Sequence, residues 1–140
     1  MHRILYLSRL AAPLPEAELQ QLFTRAQVAN LVLGVTGALF YSPGDFAQLL
    51  EGEQFVVEKL YLKIAADPRH TGVIKLADNA TSTRDFASWA MAPLAVSGTA
   101  FQAVTAYLYP EEAPTTRPAL AGTDALLYNL VRAATLPLLR

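Results

Sequence analysis

The sequence predicts one α+β domain, a mixed sheet carrying two helices on one face, followed by a helical appendage. Three observations lead there. Short apolar runs of strand length alternate with two stretches of helical periodicity, in the order strand, helix, two strands, helix, strand, strand. A chain of 140 residues is one domain's worth, and 53% hydrophobic content is ample for a real core. After about residue 96 the pattern changes to two helical stripes separated by a proline-rich run, Pro110-Glu111-Glu112-Ala113-Pro114-Thr115-Thr116-Arg117-Pro118. Residues 1–96 are therefore expected to form the sheet domain and 97–140 a two-helix extension.

Ile4-Leu5-Tyr6-Leu7-Ser8 reads as the first strand, with Ile4, Tyr6 and Ser8 on one face and Leu5 and Leu7 on the other. Both faces look covered, so an inward Tyr6 hydroxyl needs a partner. Pro15 suits a first helical turn, and Leu19, Leu22, Phe23 and Ala26 carry a helix from about Glu16 to Val28. Ala29-Asn30 closes it, Asn30 being either a left-handed helix end or a ligand contact. Gly34 to Tyr41 is the second strand, and Ser42-Pro43-Gly44-Asp45 is turn chemistry that folds it back onto Phe46 to Gly52 as a hairpin. In that third strand Phe46, Gln48 and Leu50 share a face. One amide thus stands among apolar neighbours, where each unpaired polar group costs about 1–3 kcal/mol. Gln48 is either bonded to backbone or aimed at a ligand.

Glu53 to Ala66 is a second amphipathic helix, with Val56, Leu60 and Ile64 stacked, and it stops at Asp67-Pro68. Arg69 and His70 follow in an exposed loop. Gly72 to Asp78 is the fourth strand, and a fifth from about Ser88 puts Trp89 and Met91 on one face. The order is ferredoxin-like with an extra strand, a fold that does not by itself name a function. Ala100 to Leu108 is a short helix stopped by Pro110, and Thr123 can cap a last helix from Asp124 to Leu136. Its stripe of Leu126, Leu127, Leu130, Val131 and Ala134 must be buried, since so short a helix is marginal alone. The sheet face that bears Leu5, Leu7 and Leu49 is the surface expected to receive it.

Eleven basic against twelve acidic residues leave a formal charge of −1, which argues against nucleic acid and against a polybasic membrane anchor. No apolar run reaches the roughly 18 residues of a span, and Met1-His2-Arg3-Ile4 runs straight into a strand pattern, so a cytoplasmic location is expected. Cysteine is absent, which removes thiolate metal sites and any bond to a cysteine sulfur. His2 and His70 show no metal-ligand spacing, and no metal is expected. No activated nucleophile or acid–base pair is visible, so the chain is read as a non-enzyme. Rival readings are an acylphosphatase-like hydrolase or other small ligand-binding domain, with Arg69 and His70 serving substrate phosphate, and a purely structural module.

Taken together, five motifs in order resemble the BLUF family of blue-light sensors. They are Tyr6-Leu7-Ser8; Asn30 with Gly34-Val35-Thr36-Gly37; Phe46 to Gly52; Asp67-Pro68-Arg69-His70; and Arg84-Asp85-Phe86 followed by Trp89 and Met91. The likeness runs from about Ile4 to Leu94. It implies a noncovalent flavin, FAD or in some preparations FMN, held between the two helices. It implies that Tyr6 and Gln48 are the photoactive pair, that Asn30 bonds the polar edge of the ring, and that Leu22 and Ile64 sandwich it. Asp67 is placed near the ribityl chain and Arg69 and His70 near the phosphates, while Trp89 and Met91 exchange places near Gln48 when the signal passes. The sequence departs from some relatives at Ala29, Leu31 and Val32. The resemblance implies a short receptor that signals by contact with a protein partner, and the surface that the docked C-terminal helices leave exposed is expected to form a homo-oligomer contact.

Overall fold

The computed structural model describes residues 1–87, 90–109 and 120–135, with the backbone alone for 90–92. Among the described residues nine elements follow one another: β1 (His2–Leu10), α1 (Glu16–Leu33), β2 (Thr36–Ser42), β3 (Asp45–Gly52), α2 (Gln54–Ala65), β4 (His70–Ala80), β5 (Ala90–Ala95), α3 (Gly98–Leu108) and α4 (Gly122–Thr135). The five strands form one sheet in the order β4-β1-β3-β2-β5. β1 pairs antiparallel with β3 and β4, β2 antiparallel with β3, and β5 adds in parallel to β2. This is the ferredoxin-like arrangement with a fifth strand that the element order implies.

Two glycines set the hairpin and the end of α1. Gly44, at φ 89, follows Pro43 in a two-residue turn that brings Ser42 opposite Asp45. Gly34, at φ 70, ends α1 in the left-handed conformation, and the N–H of Val35 reaches back to the Asn30 carbonyl at 2.9 Å. The helix therefore runs five residues past Val28, and Asn30 is not its cap. Leu19, Phe23, Ala26 and Asn30 are spaced by four, three and four residues, so Asn30 continues the inward stripe and is buried. Strand β2 begins at Thr36, after that stop, rather than at Gly34.

Alternation along β1 and β3 divides the core in two. Ile4, Tyr6, Phe46 and Leu50 face α1 and α2, together with Leu19, Phe23, Leu39 and Val57. Leu5, Ala47 and Leu49, with Ala38 and Phe40, face α3 and α4 and meet Phe101, Val104, Leu127, Val131 and Ala134. The C-terminal stripe thus docks on the expected sheet face. Ser97 caps α3 by accepting the Ala100 N–H, and Asp124 accepts from both the N–H and the hydroxyl of Ser97 at 3.0 and 2.5 Å, tying the starts of the two helices together. Thr123 is not a cap: it lies inside α4 and donates its hydroxyl to the Ala95 carbonyl at 2.9 Å. On α2 the fully buried residue is Val57, whereas Val56, Leu60 and Ile64 are partly buried. Ser88, Trp89, the proline-rich run and the end of the last helix at Leu136 lie outside the described residues.

Candidate functional site

On one face of the sheet α1 and α2 stand apart and leave a cleft of about 280 Å³. Its floor is Tyr6, Leu39, Phe46 and Gln48; α1 supplies Leu22 and Asn30, and α2 supplies Leu60 and Ile64. Asp67, Arg69 and His70 close one end. All eight residues expected to bind a ligand, Tyr6, Leu22, Asn30, Gln48, Ile64, Asp67, Arg69 and His70, therefore line one space. Trp89 lies outside the described residues, and of Met91 the backbone position in β5 is described.

Tyr6 and Gln48 are directly opposite each other on β1 and β3, a register that the Pro43-Gly44 turn and the two-face alternation together impose. The Tyr6 hydroxyl donates to Gln48 Oε1. Both are buried, and burial, with a smaller contribution from Tyr61, pushes the Tyr6 phenol far above its usual range. Tyr61 meets the Tyr6 ring edge-on at 5.7 Å. Among the described residues no fully buried side-chain polar atom lacks a partner, yet neither Gln48 Nε2 nor the Asn30 amide makes a hydrogen bond there. These groups are reached through the cleft. Two amides that face an apolar slot, unsatisfied by protein, are what a flat ligand with polar edges needs.

His70 is not in a loop: it opens β4, half-buried, with Nδ1 3.1 Å from Ser8 Oγ and its ring 5.8 Å from that of Phe46. Burial pushes its pKa down, against a smaller opposing pull from Asp67. Asp67 accepts from Arg69 Nε and Nη2, at 3.0 and 2.5 Å, and from its backbone N–H, and the guanidinium holds the carboxyl down to about 2. Arg69 is thus held by Asp67 at the rim of the cleft. Arg25 and Lys63 also reach the cleft, with no carboxylate partner among the described residues. Neither is signalled by a motif, but helical spacing puts Arg25 three residues after Leu22 and Lys63 three after Leu60. Tyr61 has a similar signal, four residues after Val57. Away from the cleft, His2, Glu58 and Asp78 bring ligand-type atoms within 4.8 Å of one another, but His2 Nε2 is bonded to Asp78 and the Lys75 ammonium holds the other Asp78 oxygen at 2.7 Å.

With this geometry in place, comparison with known proteins is decisive. The profile of a family described as "BLUF: Sensors of blue-light using FAD" matches residues 1–92. This chain belongs to the BLUF family. A photoactivated adenylate cyclase subunit beta of Euglena longa is 41% identical over 69 residues, covering 49% of this chain and 8% of that protein. A blue light- and temperature-regulated antirepressor of Escherichia coli is 30% identical over 83 residues, covering 59% of this chain and 21% of that one. The chain therefore spans a small part of the curated relatives it matches. Among solved structures, the dark state of BlrB, a BLUF protein, superposes with a TM-score of 0.65 at 27% identity, covering 97% of this chain and 96% of the other. The ground state of BlsA gives the same score and identity over 94% and 85%.

Proposed function

We propose that this chain is a blue-light receptor that holds flavin noncovalently in the cleft and signals by contact rather than by catalysis. The observation that carries this is the buried Tyr6–Gln48 hydrogen bond beside an amide nitrogen open to the slot. Leu22 and Ile64, half-buried on facing helices, would wall the ring, and Asn30 would bond its polar edge. Asp67 would meet the ribityl chain, and Arg69 and His70 the phosphates. A volume of about 280 Å³ suits a ring system better than a whole dinucleotide, which leaves the remainder of FAD along the Arg69 end. FMN fits the same walls.

Bound flavin supplies the blue-light absorber and, once excited, a one-electron oxidant. The protein's part follows from the pair. A phenol whose pKa is raised by burial keeps its proton in the dark and parts with it when it is oxidised. Tyr6 would give its electron to that oxidant and its proton along the hydrogen bond already made to Gln48 Oε1. On recombination an electron and a proton would both return to the phenol, and Gln48 would be left rotated or tautomerised with its amide turned to donate toward the ring, the change a red shift would report. One amide has changed partners, and this small bias must act on a bistable element elsewhere.

That element would be β5, with Met91 in the strand and Trp89 preceding it in sequence, and residues 97–140 would form the output unit of the 1–96 sensor, through a homo-oligomer contact and a protein partner. Among the described residues no helix is long and apolar enough to cross a membrane, and we infer a cytoplasmic receptor. Absorption spectra of the purified protein in darkness and after blue light test the reading. Noncovalent flavin and a reversible red shift are expected; a colourless protein that takes up no added FAD overturns it.

A further inference from the structure

The role of Gln48 does not explain the residue three places further along its strand. Glu51 is 1% exposed, in a chain segment where alternation turns it, with Ala47 and Leu49, to the face away from the cleft. It is not a ligand of that cleft. Its carboxylate accepts the backbone N–H of Asp85 at 2.5 Å, that of Phe86 at 3.0 Å, and the Thr36 hydroxyl at 3.3 Å. Arg84 completes the clasp, donating from Nη1 to Thr36 Oγ1 at 2.8 Å and to the Glu51 carbonyl at 3.1 Å. The two family motifs Phe46 to Gly52 and Arg84-Asp85-Phe86 are thus joined by one side chain.

Every partner of the carboxylate is a donor, the set an acceptor-only group takes. Burying a carboxylate forfeits its hydration, so a tie of this kind is a poor way to gain stability and a good way to fix one geometry. The geometry it fixes is the approach to β5. That strand begins at Ala90, four residues after Phe86, and pairs along one side, with β2. The Phe86 ring packs against the core under α3 and α4. Across the sheet, Gln48 stands opposite Leu39 of β2, and Leu39 opposite Pro93 of β5. β3 therefore meets β5 through the Leu39 rung and, through Glu51, holds the loop that precedes β5 in sequence.

We propose that Glu51 is a positioning residue that couples the switch to the output, holding the 84–86 loop so that a change at Gln48 moves β5 and the helices behind it. The proposal rests on the photoreceptor reading above. Its test is amide hydrogen exchange on the full, FAD-loaded chain in darkness and under blue light, read beside the absorption spectrum. The wild type should show a light-dependent exchange difference over residues 84–95. Glu51→Gln keeps shape but turns an N–H toward backbone donors; it should retain flavin and the red shift while that difference falls at least threefold. Glu51→Asp, still acceptor-only, should restore part of it. A Glu51→Gln difference equal to the wild type's, or a photocycling wild type with none over 84–95, overturns the coupling role and leaves the photoreceptor reading intact. A wild type without a red shift sinks that reading instead. Should Glu51→Gln fail to fold, Thr36→Val, which removes both bonds made through the Thr36 hydroxyl, decides the matter: a reduced difference supports the role and an unchanged one overturns it.

Discussion

The two faces of the sheet are packed to different ends. Under α3 and α4, Leu5, Phe40, Leu49, Val104, Leu127 and Val131 are fully buried and interdigitate as a core, beside which a recess of about 670 Å³ opens between α3 and the strands at Leu7 and Ile74. Under α1 and α2 the floor is equally buried, but Leu22, Leu60 and Ile64 are half-exposed around a slot, and Val28, Leu31 and Val32 of α1 and Phe55 and Leu62 of α2 point to solvent. A helix pair meant for stability alone would close over Tyr6 and Gln48. Here it stops short, and Gln48 Nε2 and the Asn30 amide are left without a partner among the described residues. The α3/α4 core carries the fold, and the α1/α2 face gives up packing directly over two buried polar side chains, where a ligand can meet them.

The largest effect that sharpens this contrast is at the floor of the slot. Tyr6→Phe removes the donor hydroxyl and Gln48→Leu removes its acceptor, while the walls remain. Both variants should bind flavin and show no red-shifted state at all after blue light. A normal photocycle in either would mean that the roles are misassigned.

Next in size is a matched pair of truncations. Leu127→Ala empties space in a fully buried cluster and should cost about 2–5 kcal/mol, read as a fall in denaturant midpoint with unchanged slope. Leu22→Ala removes a half-buried wall and should change the stability of the flavin-free protein by less than about 1 kcal/mol, while weakening flavin binding by roughly 5–30-fold. Equal losses of flavin-free stability would show that the two faces do not differ as described.

How far the sequence shows this difference can be seen residue by residue. Period-two alternation places Tyr6 and Gln48 on one face and Leu5, Leu7 and Leu49 on the other, because a strand cannot slip by one residue without exposing its core. The docking of the last helix follows from its apolar stripe and the uncovered sheet face. Helix ends are less legible. Asn30 looks like a stop because Asn tolerates left-handed backbone, yet Gly34 does so at lower cost and the stripe from Leu19 runs on to Asn30. His70 reads as loop because its neighbours are polar, although backbone pairing with Leu10 makes it the start of a strand. The sheet-facing line of α2 is Val57 with Tyr61 instead of Val56 and Leu60, since Leu60 and Ile64, at apolar spacing, line the slot. Long-range ties such as Glu51 to the 84–86 loop have no local periodicity to announce them.

The smallest expected effect concerns pH, and it separates the cleft's rim from its interior. Asp67 titrates at about 2 in the folded chain against about 3.9 unfolded, because Arg69 stabilises its carboxylate. Its contribution is complete above about pH 4 and is lost as pH falls through 2. The pair is partly exposed, with Arg69 at 49%, so screening limits it to roughly 0.2–1 kcal/mol. His70 lies deeper, and burial depresses its pKa below the ordinary value of about 6.5. The folded state then binds fewer protons than the unfolded one, so this contribution is present above about pH 6.5 and lost as pH falls through the lower folded value. Stability of the flavin-free protein should thus decline in two acid steps, an earlier one abolished by His70→Gln and a later one reduced by Asp67→Asn, the remainder coming from Asp78, whose carboxyl His2 and Lys75 also hold down. If His70→Gln leaves the first step in place, the imidazole at the end of β4 is not held neutral by its burial against Phe46, and that end of the cleft is more open to water than its packing implies.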